Sequence, residues 1–241
     1  MIRYITYFII FVTLIFIAGC NTYISYPQIV SPQAVDIPLI KEMGDLRVDV
    51  GGSFTGNKTL RSSEAIDTEE WSVLPSVHGT ISYGMSNMSA LQMHANIGLF
   101  SMYYFQTALG IYKVLEKKTV FELYGGYGYG NGYYNTRMFK VRDDYHLAFA
   151  QFNIGQTGLG AKHIDYGLGL RGGYLFCNFE EPVNLKDVHK KNGWMVEPTV
   201  FFRFGGRKVK FCTKVTYLWT QTLSKDFYYP LSVSMGVNLS L

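Results

Sequence analysis

The sequence predicts an all-β protein: an up-and-down antiparallel transmembrane β-barrel of about ten strands. Three observations carry this. From Asp45 to the end the apolar residues recur with period two, and helical periodicity is absent. The other side of that alternation is mostly Gly, Ser, Thr and Asn, unlike a soluble surface with about 25–35% charged residues. Long and short connections alternate along the chain, apart from a short one between the third and fourth strands, as in barrels with short turns at one end and long loops at the other.

Composition agrees. The 241 residues are 48% hydrophobic and 16% aromatic but only 17% charged, against about 25% charged in ordinary soluble domains. No interior apolar run reaches about 18 residues, so any crossing beyond the N-terminus falls to strands. A net charge of +4 without a basic block gives no footprint for nucleic acid.

The first element is an export signal over 1–19. Arg3 supplies positive charge, Tyr4 to Ile17 is apolar, and Ala18 and Gly19 are small. The apolar part suits a signal core and is short for a span. Ile17-Ala18-Gly19-Cys20 resembles the bacterial lipobox, which implies cleavage before Cys20 and acylation of that residue, with palmitate-type chains durable enough to anchor the protein. Residues 20–44, with Pro27, Pro32 and Pro38, read as a lipidated, extended periplasmic tether, and 45–241 as the outer-membrane barrel.

Within the barrel, strands are expected near 45–56, 71–84, 88–100, 102–114, 119–130, 144–154, 162–176, 193–205, 208–219 and 228–241. The last is the clearest: Leu231, Val233, Met235, Val237, Leu239 and Leu241 alternate with Ser232, Ser234, Gly236, Asn238 and Ser240, one apolar and one small polar face. Connections over 57–70, 131–143, 177–192 and 220–227 read as long loops; Ser86-Asn87, 115–118 and Gly205-Gly206-Arg207 read as tight turns. An even strand number puts both barrel ends on the periplasmic side, where Cys20 would also lie. The strand positions separate Cys177 from Cys212 by on the order of 20 Å, beyond the ~7 Å Cα limit for a disulfide, so two thiols outside any disulfide are expected.

The lipobox, the lead-in DIPLIKEMGDLRV, the hairpin HGTISYGMSN, and the stretches FELYGGYGYG, FNIGQ and GLGLRGGY together resemble outer-membrane β-barrel lipoproteins of Bacteroidetes-type bacteria. That resemblance implies a fold and a location, the bacterial outer membrane, and no activity.

Candidate sites follow from the faces. Gly126, Gly128 and Gly130 mimic a phosphate loop, but no helix follows to meet a phosphate, so they read as room for bulky neighbours. The inward face carries Arg47, Asp49, His78, His94, Glu122, Asp165, Arg171, Glu197, Arg203, Lys210 and Lys214. Buried charges persist when paired, so a salt-bridged plug is expected, with a small pore as the alternative. Asp143, Asp144 and His146 at one rim, with His189 nearby, are the residues an acid–base hydrolase would use. Arg137, Lys140, Arg142, Glu180, Glu181, Lys186, Asp187, Lys190 and Lys191 populate the loops.

The expected protein is therefore a lipid-anchored outer-membrane barrel with a closed, salt-bridged lumen, a structural or interaction component of the envelope rather than an enzyme. No metal or cofactor is expected. Its partners would be outer-membrane lipids and a second outer-membrane or periplasmic protein. Alternatives are a rim-site protease or lipid-modifying enzyme, and a soluble lipocalin-like lipoprotein with its apolar face inside.

Overall fold

The computed structural model describes residues 35–63, 66–98, 102–115, 118–135, 140–159, 164–179, 192–221 and 231–241; side-chain surroundings are described for these except 56–74, 102, 132–143, 159 and 178–179. Eleven strands run in chain order: β1 Leu46–Ser63, β2 Ile66–Gly84, β3 Ser89–Gly98, β4 Met102–Val114, β5 Thr119–Asn135, β6 Lys140–Leu159, β7 Ile164–Phe179, β8 Asn192–Gly205, β9 Val209–Tyr217, β10 Trp219–Thr220 and β11 Leu231–Ser240.

Each strand from β1 to β9 pairs antiparallel with its neighbour, β9 pairs with β11, and β11 pairs with β1. The sheet therefore closes on itself and has no edge strand to protect. The short β10 continues β9 in the same register on β8: Thr216 faces Thr199, and Trp219 faces Val196. Leu218 interrupts the ladder between them, so the wall is a closed ten-stranded barrel, as the sequence predicts.

Both barrel termini and the β2–β3, β4–β5, β6–β7 and β8–β9 connections share one end, the turn end; the two longest connections, β7–β8 and β10–β11, lie at the other, the loop end. Two expected loops are shorter than predicted. The β1–β2 ladder continues to Ser63 facing Ile66, and the β5–β6 ladder to Asn135 facing Lys140. These stretches lack an apolar face, which hides them from a period-two reading. Backbone pairing needs no such face once the strands stand clear of an apolar surround. The loop residues 180–191 and 222–230, including His189, lie outside the described residues, as do the signal region and Cys20.

Side chains sort by parity around the barrel. Val50, Ile81, Met93, Leu109, Leu168, Val200, Val215 and Met235 point outward and are exposed, while Thr80, Gln92, Gln106, Gln151, Thr199 and Ser234 point inward and are buried. The protein is polar inside and apolar outside, the reverse of a lipocalin. That overturns the soluble apolar-ligand alternative. Outward aromatics gather at both ends: Tyr83, Tyr166, Phe202, Phe204 and Phe211 near the turns, Tyr103, Tyr127, Phe176, Trp194, Tyr217 and Trp219 near the loops. Two aromatic girdles flanking an aliphatic band are the signature of a barrel standing in a bilayer.

Candidate functional site

The lumen holds a guest that belongs to the same chain. Residues Val35 to Ile40 precede β1, form no regular structure, and lie inside the barrel, with Val35, Ile37, Leu39 and Ile40 fully buried. Of the stretch expected as a tether over 20–44, residues 35–40 lie inside the wall and 41–44 are exposed at the turn end. The reason is local. Asp36 brings a carboxylate to a cationic lumen, and Ile37, Leu39 and Ile40 are apolar enough to leave water.

The wall is shaped for this segment. Gln92 and Gln151 donate from Nε2 to the Asp36 carbonyl at 3.2 and 2.7 Å. Arg203 donates to the Ile37 carbonyl at 2.5 Å, and the Ile40 amide donates to Glu122 Oε1 at 2.8 Å. Ile37 lies against Gly169, Leu39 against Gly155 and Ile40 against Gly84, each at a place where a Cβ would collide with it. Leu39 is in the left-handed region at φ 56°, a conformation that costs on the order of 1–3 kcal/mol and persists only where its surroundings hold it.

The inward charges fall into connected groups. Lys214 Nζ bridges Asp36 at 2.8 Å and Asp49 at 3.1 Å. His78 Nε2 lies 3.7 Å from Asp49, and its ring stacks 6.0 Å from that of His94. Lys210 pairs with Asp165 at 2.6 Å. Arg171 pairs with Glu197 at 2.5 Å and donates to Gln106 at 2.7 Å. Asn153 donates to Glu122 at 2.9 Å. Arg47 reaches back to Asp45 at 2.9 Å. Arg203 lies 4.8 Å over the Phe201 ring. All eleven inward residues singled out in the sequence are thus buried on the inner side of the wall, and the lead-in adds two carboxylates, Asp45 to Arg47 and Asp36 to Lys214.

Toward the loop end the filling changes character. Tyr104, Tyr145, Leu147, Phe149, Leu175, Cys177, Met195 and Leu218 form one buried apolar cluster. The Tyr104 and Tyr145 rings stack at 5.7 Å. The glycine run of β5 makes this possible: a Cβ on Gly126, Gly128 or Gly130 would strike Phe149, Tyr104 or Tyr145 respectively. Among the described residues the lumen thus holds the lead-in with its ion pairs and, toward the loop end, an aromatic and aliphatic layer. Cys177 and Cys212 are both buried and neither is in a disulfide.

Of the rim residues proposed for acid–base chemistry, Asp144 and His146 lie on the outward face. Tyr129 donates to Asp144 Oδ1 at 3.0 Å, Asn131 also donates to that oxygen, and the Tyr127 hydroxyl meets His146 Nδ1. The carboxylate and the imidazole are therefore each held by a girdle tyrosine, and the Asp143 side chain lies outside the described set.

No protein-family profile matches this chain, and no curated protein is similar to it. Several solved structures share its general shape. The outer membrane protein OprG of Pseudomonas aeruginosa is 10% identical, covers 84% of this chain and 98% of its own, and has a TM-score of 0.38. The NanC porin is 13% identical over 81% of this chain and 100% of its own, TM-score 0.38. Ail, the attachment invasion locus protein of Yersinia pestis, is 8% identical over 83% and 99%, TM-score 0.28. At such values the fold rests on the ladders described above, and these proteins lend no function to this chain.

Proposed function

We propose that this protein is a lipid-anchored outer-membrane β-barrel whose lumen is closed, acting as a structural or interaction component of the cell envelope rather than as a channel or an enzyme. The observation that carries this is the seating of Val35–Ile40 in the lumen, bonded to five wall residues while the outer wall is apolar. The turn end would face the periplasm and the loop end the exterior, the arrangement of single-chain outer-membrane barrels. Acylated Cys20 would be the anchor, and the resemblance to Bacteroidetes-type barrel lipoproteins belongs to the same reading. Membrane lipids contact the aliphatic band; a second envelope protein would meet the loops or the turn-end rim.

The test is planar-bilayer recording on the full chain, folded as judged by heat-modifiable migration on a gel. No stable unitary conductance is expected. A reproducible open level in wild-type protein would overturn the closed lumen.

A further inference from the structure

We propose that the turn-end mouth of the barrel is a binding site for a phosphate group. A cavity of about 420 Å³ opens there, lined by Lys41, Lys118, Arg207 and Lys210 together with Thr157 and Gly158. The four cations come from four separate pieces of chain: the lead-in, the β4–β5 turn, the β8–β9 turn and β9.

Among the described residues the charge in this cavity is one-sided. Asp165 is the carboxylate at hand, and both its oxygens are engaged: Oδ2 by Lys210 at 2.6 Å, Oδ1 by the Gly158 amide at 2.8 Å. Among the described residues no carboxylate pairs with Lys41, Lys118 or Arg207. Partial desolvation first, then the charges of Arg47 and Lys210, lower the Lys41 ammonium from its usual value, more than Asp165 and Asp45 raise it.

The backbone is arranged to keep these groups in place. The β6–β7 ladder bulges between Gln156 and Leu159, and Gly158 in the bulge has φ +64°. Lys118 has φ 68° and donates from Nζ to the Gly158 carbonyl at 3.1 Å. Thr157 Oγ1 lies 3.4 Å from the Lys118 carbonyl. A bulge re-aims local groups at the cost of ladder pairing; here it presents the Gly158 carbonyl to the exposed Lys118 ammonium.

Three cations lacking a carboxylate among the described residues, converging from different directions, suit a tetrahedral phosphate, with acceptor oxygens pointing several ways, better than a planar carboxylate. Arg supplies a fork of donors and Lys a point charge, the usual pair for phosphate. Two sources share this chemistry: a soluble phosphate and a phospholipid headgroup. Val114, on the cavity wall, and its neighbour Leu115 are both partly exposed, so an acyl chain could lie beside the headgroup.

The experiment uses the folded full chain. In non-ionic detergent, inorganic phosphate is titrated and followed by ³¹P line broadening. In lipid discs, retention of phosphatidylglycerol over phosphatidylcholine is read by native mass spectrometry. Binding in the first arm assigns a soluble source; retention only in the second assigns the lipid. The double variant Lys41→Ala/Arg207→Ala should weaken binding about a hundredfold, tenfold for each charge-assisted contact. Lys113→Ala, on an exposed side chain outside the cavity, should leave it unchanged. Absence of phosphate binding in both arms, or wild-type binding by the folded double variant, would overturn the site. Since the phosphate arm needs no bilayer, its failure is separable from failure of the envelope reading.

Discussion

Asp36 and Lys214 are 178 residues apart in sequence and form an ion pair of 2.8 Å in the barrel interior. The same ammonium holds Asp49 of the wall at 3.1 Å. Lys214 therefore ties the lead-in to the barrel, and the tie can be measured. Asp36→Asn should lower the stability of the folded barrel by about 2 kcal/mol, since Lys214 keeps Asp49. Lys214→Met should cost about 3–5 kcal/mol, because two buried carboxylates lose their cation. Urea unfolding of the single and double variants gives a coupling energy, expected at about 1–3 kcal/mol. Strict additivity would show that the two residues do not hold each other.

The outer wall makes its own prediction. Val200 lies mid-strand in β8 and is exposed, while Thr199 beside it points into the lumen and is buried. Val200→Arg should destabilise the barrel by about 2–4 kcal/mol in bilayers, the cost of a cation near the membrane midplane. The penalty should fall sharply when Arg is placed instead at the exposed turn residue Lys208. An equal effect at both positions would remove the membrane from the explanation.

Gly126, Gly128 and Gly130 of β5 are a packing device, each against a ring: Phe149, Tyr104 and Tyr145. Gly128→Val places methyl groups where the Tyr104 ring lies. The expected loss is about 1–3 kcal/mol for overpacking, seen as a lower temperature for loss of the compact gel form. Tyr104→Ala opens a gap of its own, but in that background Gly128→Val should cost less than in wild type. Independent effects would mean that the two side chains do not compete for the same space.

How much of this was legible beforehand can be judged residue by residue. The strand faces were legible because period two maps directly onto inside and outside: Trp194 and Phe202 flank Glu197 and Thr199 as the alternation requires. The charged lumen was legible for the same reason, since polar residues with few charges make each exception conspicuous. The sequence left five inward cations against four carboxylates on the strands; Asp45, just ahead of β1, answers Arg47, and Asp36, which answers Lys214, was hidden in a segment without a period. A short stretch in extended or irregular backbone advertises no face, so nothing in Val35–Ile40 says which wall it meets. The available signal was the surplus cation together with a carboxylate and three aliphatic residues just ahead of the first strand. The turn-end cavity was illegible in another way. Its cations lie at residues 41, 118, 207 and 210, and only the closed ladder brings them together.

The three cysteines allow one measurement on both the lumen and the anchor. Cys177 and Cys212 are buried in the folded barrel and outside any disulfide. Maleimide added to folded protein should therefore leave both untouched, and after thermal unfolding it should add to each. If Cys20 carries an acyl chain, as the lipobox resemblance implies, its sulfur is blocked and the labelled count stops at two. If Cys20 is retained unmodified, the count is three. Cys177→Ser/Cys212→Ser then separates the cases: no label for an acylated protein, one for an unacylated chain that keeps Cys20. Rapid labelling of the folded form at Cys177 would show that reagent passes the loop-end apolar layer. The filled lumen on which the closed-barrel reading depends would then fail, whatever the state of the anchor.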